Sequence, residues 1–332
     1  MRRGFAAAWR CGLSLAACGL TVIAPSAAAQ SASATQGALD FLLPIGARSV
    51  GMGQAAVALA TGSEALWSNP ALVARGPREV GLHITQTLAT QTGTDAAAAV
   101  IYPVPNVGAV AISVRYLNYG EQPAIDSISG QQTGTFAQTS TIAAVTFAAP
   151  FGSRLAAGVT AKLLRIGYPC TGACNTTASS PQTGALDIGA QYILTSDSLF
   201  TLGAALRSVG FKLQINDAPQ ADALPTRADV GLGFAPKFAS IPAEVRVRAE
   251  ADVIVAVNGG GSPGLGIGAE AAYRDRYLAR AGYVVNGPMG SGFTFGLGLS
   301  TGRLRVDFAR MAAAIQQQAG VTPTYLSLRY LF

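Results

Sequence analysis

The chain of 332 residues is 50% hydrophobic and only 12% charged, with a mean hydropathy of +0.34 and a formal net charge of +6. Soluble domains carry about 25% charged residues, so this composition excludes an ordinary cytosolic surface. No run of about 18 uninterrupted apolar residues occurs, which excludes spanning helices and leaves a closed β-barrel as the way to satisfy backbone polar groups in lipid.

At the start of the chain, Arg2, Arg3 and Arg10 precede an apolar stretch from Cys11 to Ala24, and Ala27-Ala28-Ala29 offers a small-residue cleavage site before Gln30. Residues 1–29 therefore read as a secretory signal peptide. Its removal lowers the net charge to about +3, so the basic balance is no argument for nucleic-acid binding. Arg2-Arg3-Gly4-Phe5 also fits a twin-arginine signal, but that route exports folded proteins, whereas a lipid-facing barrel should cross unfolded. Leu15-Ala16-Ala17-Cys18 fits a lipoprotein box, yet it would leave a very short apolar core.

Residues 30–77 form the next unit, dense and non-alternating from Ala38 to Ala74. Within it Gly51 and Gly53 permit close backbone packing or sharp turns. Asn69 suits a helix N-cap and Pro70 the first helical position, so Asn69-Pro70-Ala71 starts a short helix or turn near a barrel mouth. Gly51 to Ala56 loosely fits a dinucleotide fingerprint, but no βαβ unit surrounds it and no acidic residue follows at the required distance. No cofactor is expected.

From Arg78 onward fourteen segments alternate apolar with small or polar side chains, the pattern of a transmembrane up-and-down barrel. They run approximately 78 to 91, 95 to 104, 107 to 119, 134 to 149, 153 to 167, 183 to 194, 199 to 209, 224 to 238, 243 to 257, 264 to 274, 277 to 286, 291 to 300, 302 to 310 and 322 to 332. Connections after even-numbered segments are short, whereas 120 to 133, 168 to 182, 210 to 223 and 311 to 321 are long. Outer-membrane barrels show this asymmetry, with tight periplasmic turns and longer outer loops, and it would place both chain ends on the periplasmic side.

One face of these strands collects Arg115, Arg207, Asp229, Arg246, Arg248, Glu250, Asp252, Glu270, Arg280, Arg305, Asp307 and Arg329. An arginine on lipid would cost up to about 2 to 4 kcal/mol at the midplane, so these charges are assigned to the lumen. Mixed signs favour cross-strand pairs that brace the wall over a charge-selective pore lining. The same alternation assigns Leu297 to lipid and Gly298 to the lumen, so Leu297→Arg is expected to be far more damaging than Gly298→Ser. His83, the sole histidine, reads as a polar wall residue, and neither a catalytic set nor a metal-ligand cluster accompanies it. Cys170 and Cys174 lie in an outer loop, where an oxidising compartment favours a small disulfide.

The last segment places Leu326, Leu328, Tyr330 and Phe332 on one face and Ser327 and Arg329 on the other. Such a terminal aromatic strand, with Tyr330 and Phe332, is similar to the signal read by the barrel-assembly machinery, an expected partner together with outer-membrane lipid.

Residues 46–60, with Gly46-Ala47-Arg48-Ser49-Val50-Gly51-Met52-Gly53, and 65–73, with Trp67-Ser68-Asn69-Pro70-Ala71, resemble the N-terminal signature of the PorV/PorQ family of outer-membrane proteins, relatives of FadL-type transporters of hydrophobic compounds. Arg280-Ala281-Gly282-Tyr283, the Gly-rich run Phe293 to Leu299, Arg305-Val306-Asp307-Phe308 and the closing strand agree with it. The resemblance implies that the unit containing Arg48, Gly51, Gly53, Asn69, Pro70 and Ala71 is a hatch inside the lumen of 78–332. It also implies two non-enzymatic roles. In the first, favoured one, the protein is a component of type IX-like secretion or surface attachment that docks secretion components or exported proteins through its outer loops. In the second it is a FadL-like, hatch-gated channel for a hydrophobic ligand, with Ile125, Ile128, Leu213 and Ile215 as an apolar access patch.

Overall fold

The computed structural model describes residues 36–86, 93–174, 180–214, 221–237, 242–258, 261–288, 290–313 and 323–332. The expected signal peptide and Ile215 lie outside them. Among the described residues fifteen strands occur: β1 (Glu79–Gln86), β2 (Thr94–Val104), β3 (Gly108–Ile125), β4 (Gln132–Phe151), β5 (Leu155–Gly167), β6 (Cys170–Gly172), β7 (Gln182–Ile193), β8 (Phe200–Gly210), β9 (Arg227–Phe234), β10 (Val245–Ala256), β11 (Gly264–Tyr273), β12 (Tyr277–Gly287), β13 (Gly290–Thr301), β14 (Leu304–Ala313) and β15 (Thr324–Leu331).

All except β6 form the wall. Each pairs antiparallel with its neighbours, and β1 pairs with β15, from Glu79↔Leu331 to Gln86↔Thr324, so the sheet closes into a fourteen-stranded barrel. Closure removes both sheet edges, which the composition required.

Alternation fixes which face meets lipid. On β11 the residues Leu265, Ile267 and Tyr273 are exposed, while Gly266, Gly268, Glu270 and Ala272 are buried. Because strand side chains alternate with period two, a one-residue slip would put Glu270 into the bilayer. Pairing Glu270↔Arg280 and Ala271↔Ala279 keeps each face consistent across β11 and β12. The short turns, such as 105–107, 152–154 and 274–276, mark the periplasmic end.

Residues 36–74 run through the lumen. The turn Leu39–Leu42 leads to helix α1 (Ala47–Gly51), then to turns Gly62–Trp67 and Pro70–Val73. Gly37 bonds to the carbonyl of Ala223 in the outer β8–β9 connection, whereas Pro70–Val73 packs on β4, β5 and β7 near their periplasmic ends. The described chain therefore begins at the outer end of the lumen and descends to β1. The two ends of the barrel adjoin at the periplasmic rim, where Glu79 pairs with Leu331 and the Phe332 amide donates to the Arg78 carbonyl, while the N-terminal end of the chain lies outside the described residues.

Two outer loops also differ from expectation. Segment 120 to 133 is largely strand: β3 continues to Ile125 and β4 begins at Gln132, leaving only 126–131 as the turn. The alternation signal stops at 119 because, beyond the bilayer, both faces meet water and need no apolar side. Backbone pairing continues nevertheless. In segment 168 to 182, β6 adds to β4 through Thr135↔Thr171 and Phe136↔Cys170. Cys170 and Cys174 form a disulfide with a Cα separation of 6.2 Å beside this small sheet.

Candidate functional site: a stoppered lumen

The plug is held by lumen-facing carboxylates that accept its backbone N–H groups. Asp252 Oδ2 accepts from Ala56 at 2.6 Å and Val57 at 2.9 Å, and Glu250 Oε1 accepts from Ala58 at 2.5 Å and Leu59 at 3.1 Å. Two acids on alternate positions of β10 thus satisfy four consecutive amides of an irregular segment that pairs with no strand there. On β13, Thr294 Oγ1 accepts from Gly53 at 3.0 Å. Gly53 has φ +66° and lies against the wall so closely that a Cβ would overlap the carbonyls of Ile267 and Tyr283. Only glycine fits that position. Gly51 approaches Gly296 similarly, with 3.1 Å from an added Cβ to the facing Cα.

Asn69 caps the turn Pro70–Val73 as its sequence indicated, its Oδ1 accepting from the Ala71 amide at 3.0 Å. Its amide group donates to the carbonyls of Val57 at 2.8 Å and Ala190 at 2.9 Å. One buried side chain therefore joins cap, plug and wall.

The remaining lumen charges form pairs and clusters. Arg280 reaches Glu270 at 2.7 Å and Asp307 at 2.8 Å; Arg305 reaches Asp307 at 2.9 Å; and Arg48 of the plug reaches Glu270 at 3.3 Å. Arg329 grips Glu79 with two bonds of 2.8 and 2.7 Å, while Glu79 also accepts from the Ser63 amide at 2.7 Å. Arg115 grips Asp95 at 2.8 and 2.6 Å and donates to the plug carbonyls of Asp40 at 3.2 Å and Leu43 at 3.0 Å. Arg207 pairs with Asp229 at 2.5 Å and donates to the Trp67 carbonyl at 3.0 Å. Arg115 and Arg207 thus have their charges met within the wall and turn a spare donor on the plug.

Two of the expected lumen residues sit apart. Arg246 occupies the periplasmic rim, 55% exposed and paired with Asp275 of the β11–β12 turn, because the lumen face of β10 emerges into water there. Arg248, half-buried, faces a cavity of ≈ 220 Å³ under the plug that Arg246, Arg305, Glu270 and Thr61 also line.

Sequence reasoning missed Asp40, Glu64, Glu79, Asp95, Lys162 and Asp187. Glu64 accepts from the amide of Ser49 at 3.0 Å, and Lys162 pairs with Asp187 at 2.7 Å across β5 and β7. Glu79 was detectable, since it shares a face with Gly81 and His83 opposite Val80 and Leu82. His83 is buried between Ser63 Oγ at 3.0 Å and Ser327 Oγ at 2.8 Å, and Ser327 in turn accepts from the Ala47 amide at 2.8 Å. The imidazole thereby ties the plug to β1 and β15.

Leu213 was assigned to an exposed access patch, and this is corrected: it is 1% exposed and packs with Ala38, Leu117 and Leu164 beneath the outer end. Its bridge with Asp222 folds the loop inward, and an apolar side chain there follows the core. Ile125 and Ile128 are exposed at 55% and 96%.

Unfilled space remains on the outer side of the plug. A mainly apolar cavity of ≈ 220 Å³ lies between Leu43 and Pro44 of the plug and Leu117, Tyr119, Pro323 and Tyr325 of the wall. A second, of ≈ 70 Å³, lies deeper beside Phe41, Trp67 and Arg207.

Substituting Asp252 and Glu250 together with alanine should leave four plug amides without acceptors, each costing about 1–3 kcal/mol where water cannot reach. The plug is then expected to loosen while the wall persists. Planar-bilayer recordings should show increased conductance, and an unchanged closed state would refute the pinning role.

No protein-family model matches the chain, and no curated protein matches it. Solved structures do. The chain is similar to the Pseudomonas putida toluene transporter TodX, with 14% identity, a TM-score of 0.56 and coverage of 88% of this chain and 99% of that one. The monoaromatic hydrocarbon channel CymD gives 12% identity, a TM-score of 0.55 and coverage of 88% and 98%. A Pseudomonas aeruginosa FadL homologue gives 12% identity, a TM-score of 0.51 and coverage of 88% and 99%. With the closed barrel described above, these place the protein in the outer membrane and give it the fold of the FadL-type channels.

Proposed function

We propose that the protein is a non-enzymatic outer-membrane channel for small hydrophobic compounds, with residues 36–74 as its gate. The apolar cavity of ≈ 220 Å³ at the outer end carries this reading, since its lining of Leu43, Leu117, Tyr119 and Tyr325 suits a compound of about one aromatic ring. The likeness to TodX and CymD supports the same class of cargo. Passage needs the plug to shift, and its attachment by hydrogen bonds to the wall rather than by covalent links permits that. Proteoliposomes holding the barrel should take up toluene faster than empty ones, and Leu43→Trp, which fills the cavity from a half-buried position, should suppress the difference. Uptake equal to that of empty liposomes would overturn the proposal.

A second reading, docking of exported proteins in the manner of the PorV/PorQ family, is favoured by the outer extension of β3 and β4, widened by β6 and tied by the Cys170–Cys174 disulfide. Co-purification from native membranes separates the two: secretion partners favour docking, and a bound hydrophobic molecule favours the channel.

A further inference from the structure

The lipid-facing side of the barrel has a depression at its periplasmic edge. It is a groove of ≈ 760 Å³ across β10 to β14, floored by Ala271 and Ala279 and walled by Val245, Leu297, Leu299 and Phe308. Ala271 and Ala279 are directly paired, and the next pair on the same face toward the periplasm is Tyr273↔Tyr277, so the floor drops behind a rim of two tyrosines. Both tyrosines are exposed, at 43% and 53%. Aromatic rings at this height mark the headgroup level of a bilayer.

A guanidinium stands over each ring. Arg274 lies 5.1 Å from the Tyr273 centroid and Arg276 lies 5.5 Å from the Tyr277 centroid. Both arginines are exposed, and among the described residues neither has a carboxylate within ion-pair distance. Asp275, between them, is engaged by Arg246 on the lumen side. Glu244 contributes its backbone carbonyl to the Arg274 amide. The turn holds Arg274 and Asp275 at φ 51° and 53°, positions where asparagine or glycine would be less strained. An open apolar groove thus ends at headgroup depth beside two positive charges.

We propose that this groove binds one anionic phospholipid of the periplasmic leaflet. Its acyl chain lies over Ala271 and Ala279, and its phosphate is held by Arg274 and Arg276. Charge complementarity selects this occupant over a zwitterionic lipid, because Asp275 is engaged by Arg246 and neither Arg274 nor Arg276 forms an ion pair among the described residues. The inference depends on the barrel lying in the outer membrane and is independent of what passes through the lumen.

The test is native mass spectrometry of the purified barrel with phosphatidylglycerol and, in parallel, phosphatidylcholine. Phosphatidylglycerol is expected to remain bound at a ratio of one per barrel under activation that strips phosphatidylcholine. Arg274→Asn combined with Arg276→Gln keeps a residue suited to the left-handed turn position and removes both charges. It should weaken retention roughly tenfold to thirtyfold. Ala279→Phe fills the groove with a lipid-compatible side chain while keeping both arginines, and should also abolish selective retention. Heat-resistant gel migration verifies that each variant is folded. Equal retention of the two lipids, or retention that survives either change in a folded barrel, overturns the proposal.

Discussion

Arg280→Met is expected to destabilise the barrel by about 3–5 kcal/mol, because removing one partner from a buried ion cluster leaves the others charged and out of water. The Arg280 side chain is fully buried and is the closest cation to both Glu270, at 2.7 Å, and Asp307, at 2.8 Å. What remains is weaker: Glu270 keeps Arg48 at 3.3 Å and Arg305 at 3.7 Å, and Asp307 keeps Arg305 at 2.9 Å. Those residual contacts place the expected loss near the lower end of the range. Arg246→Met is the internal comparison. That arginine is 55% exposed at the rim, and its pair with Asp275 is screened by water, so its loss should cost under about 1 kcal/mol. Urea unfolding in phospholipid vesicles measures both. Of the chain's two tryptophans only Trp67 follows the expected signal peptide, and it sits in the plug, so its fluorescence reports plug release while heat-modified gel mobility reports the wall. Similar midpoints for the two variants would mean that the cluster is not what holds β11, β12 and β14 together.

The wall was legible because lipid imposes a period-two rule on every strand. β11 was expected at 264 to 274 and runs Gly264–Tyr273; β13 was expected at 291 to 300 and runs Gly290–Thr301. Where the environment stops imposing that rule, the reading loses accuracy. β9 was expected at 224 to 238 but occupies only Arg227–Phe234, because Pro225 and Pro236 lack the amide that a central strand needs on each side. β3 was expected to end at 119 and β4 to begin at 134, and the two stay paired outward to Ile125 and from Gln132. Periodicity measures the solvent on the two faces, and ladder hydrogen bonds need no such contrast.

The site was legible one partner at a time. Arginines on strands draw notice because they are expensive in lipid, which is why Arg115, Arg280 and Arg329 were found. The counter-ions of Arg280, Glu270 and Asp307, were found with it, but those of Arg115 and Arg329, Asp95 and Glu79, lie at strand beginnings, where a charge has a solvated explanation, and only the register links them across the wall. The plug is less legible still. That Glu250 and Asp252 accept four amides from residues 56–59 depends on a segment with neither helical nor strand periodicity, folded by the wall around it. The same close fit bears on Gly298. A serine there is expected to do less harm than arginine at Leu297, yet its Cβ would overlap the Asp307 carboxylate and stand 3.2 Å from Arg280. Gly298→Ser therefore disturbs the ion cluster and is no neutral control.

Arginine placed at successive lipid-facing positions of β13 should give losses that fall with distance from the bilayer centre. Phe295, Leu297 and Leu299 all point outward, with exposures of 44%, 61% and 40%, and approach the periplasmic turn in that order. Charge on the lipid face costs about 2–4 kcal/mol at the midplane and about 0–1 kcal/mol near the interface. Phe295→Arg is therefore expected to lose about 3–4 kcal/mol, Leu297→Arg about 2–3 kcal/mol and Leu299→Arg below about 1 kcal/mol. Leu297→Met conserves volume and polarity and should stay within about 1.5 kcal/mol of the parent. Folding yield into vesicles and urea midpoints give the order. A soluble barrel in water would show no gradient, since exposed arginine costs little at any of the three positions. Equal losses along β13 would thus remove the bilayer from the explanation, whereas a graded series fixes both the outward face and the depth of the strand.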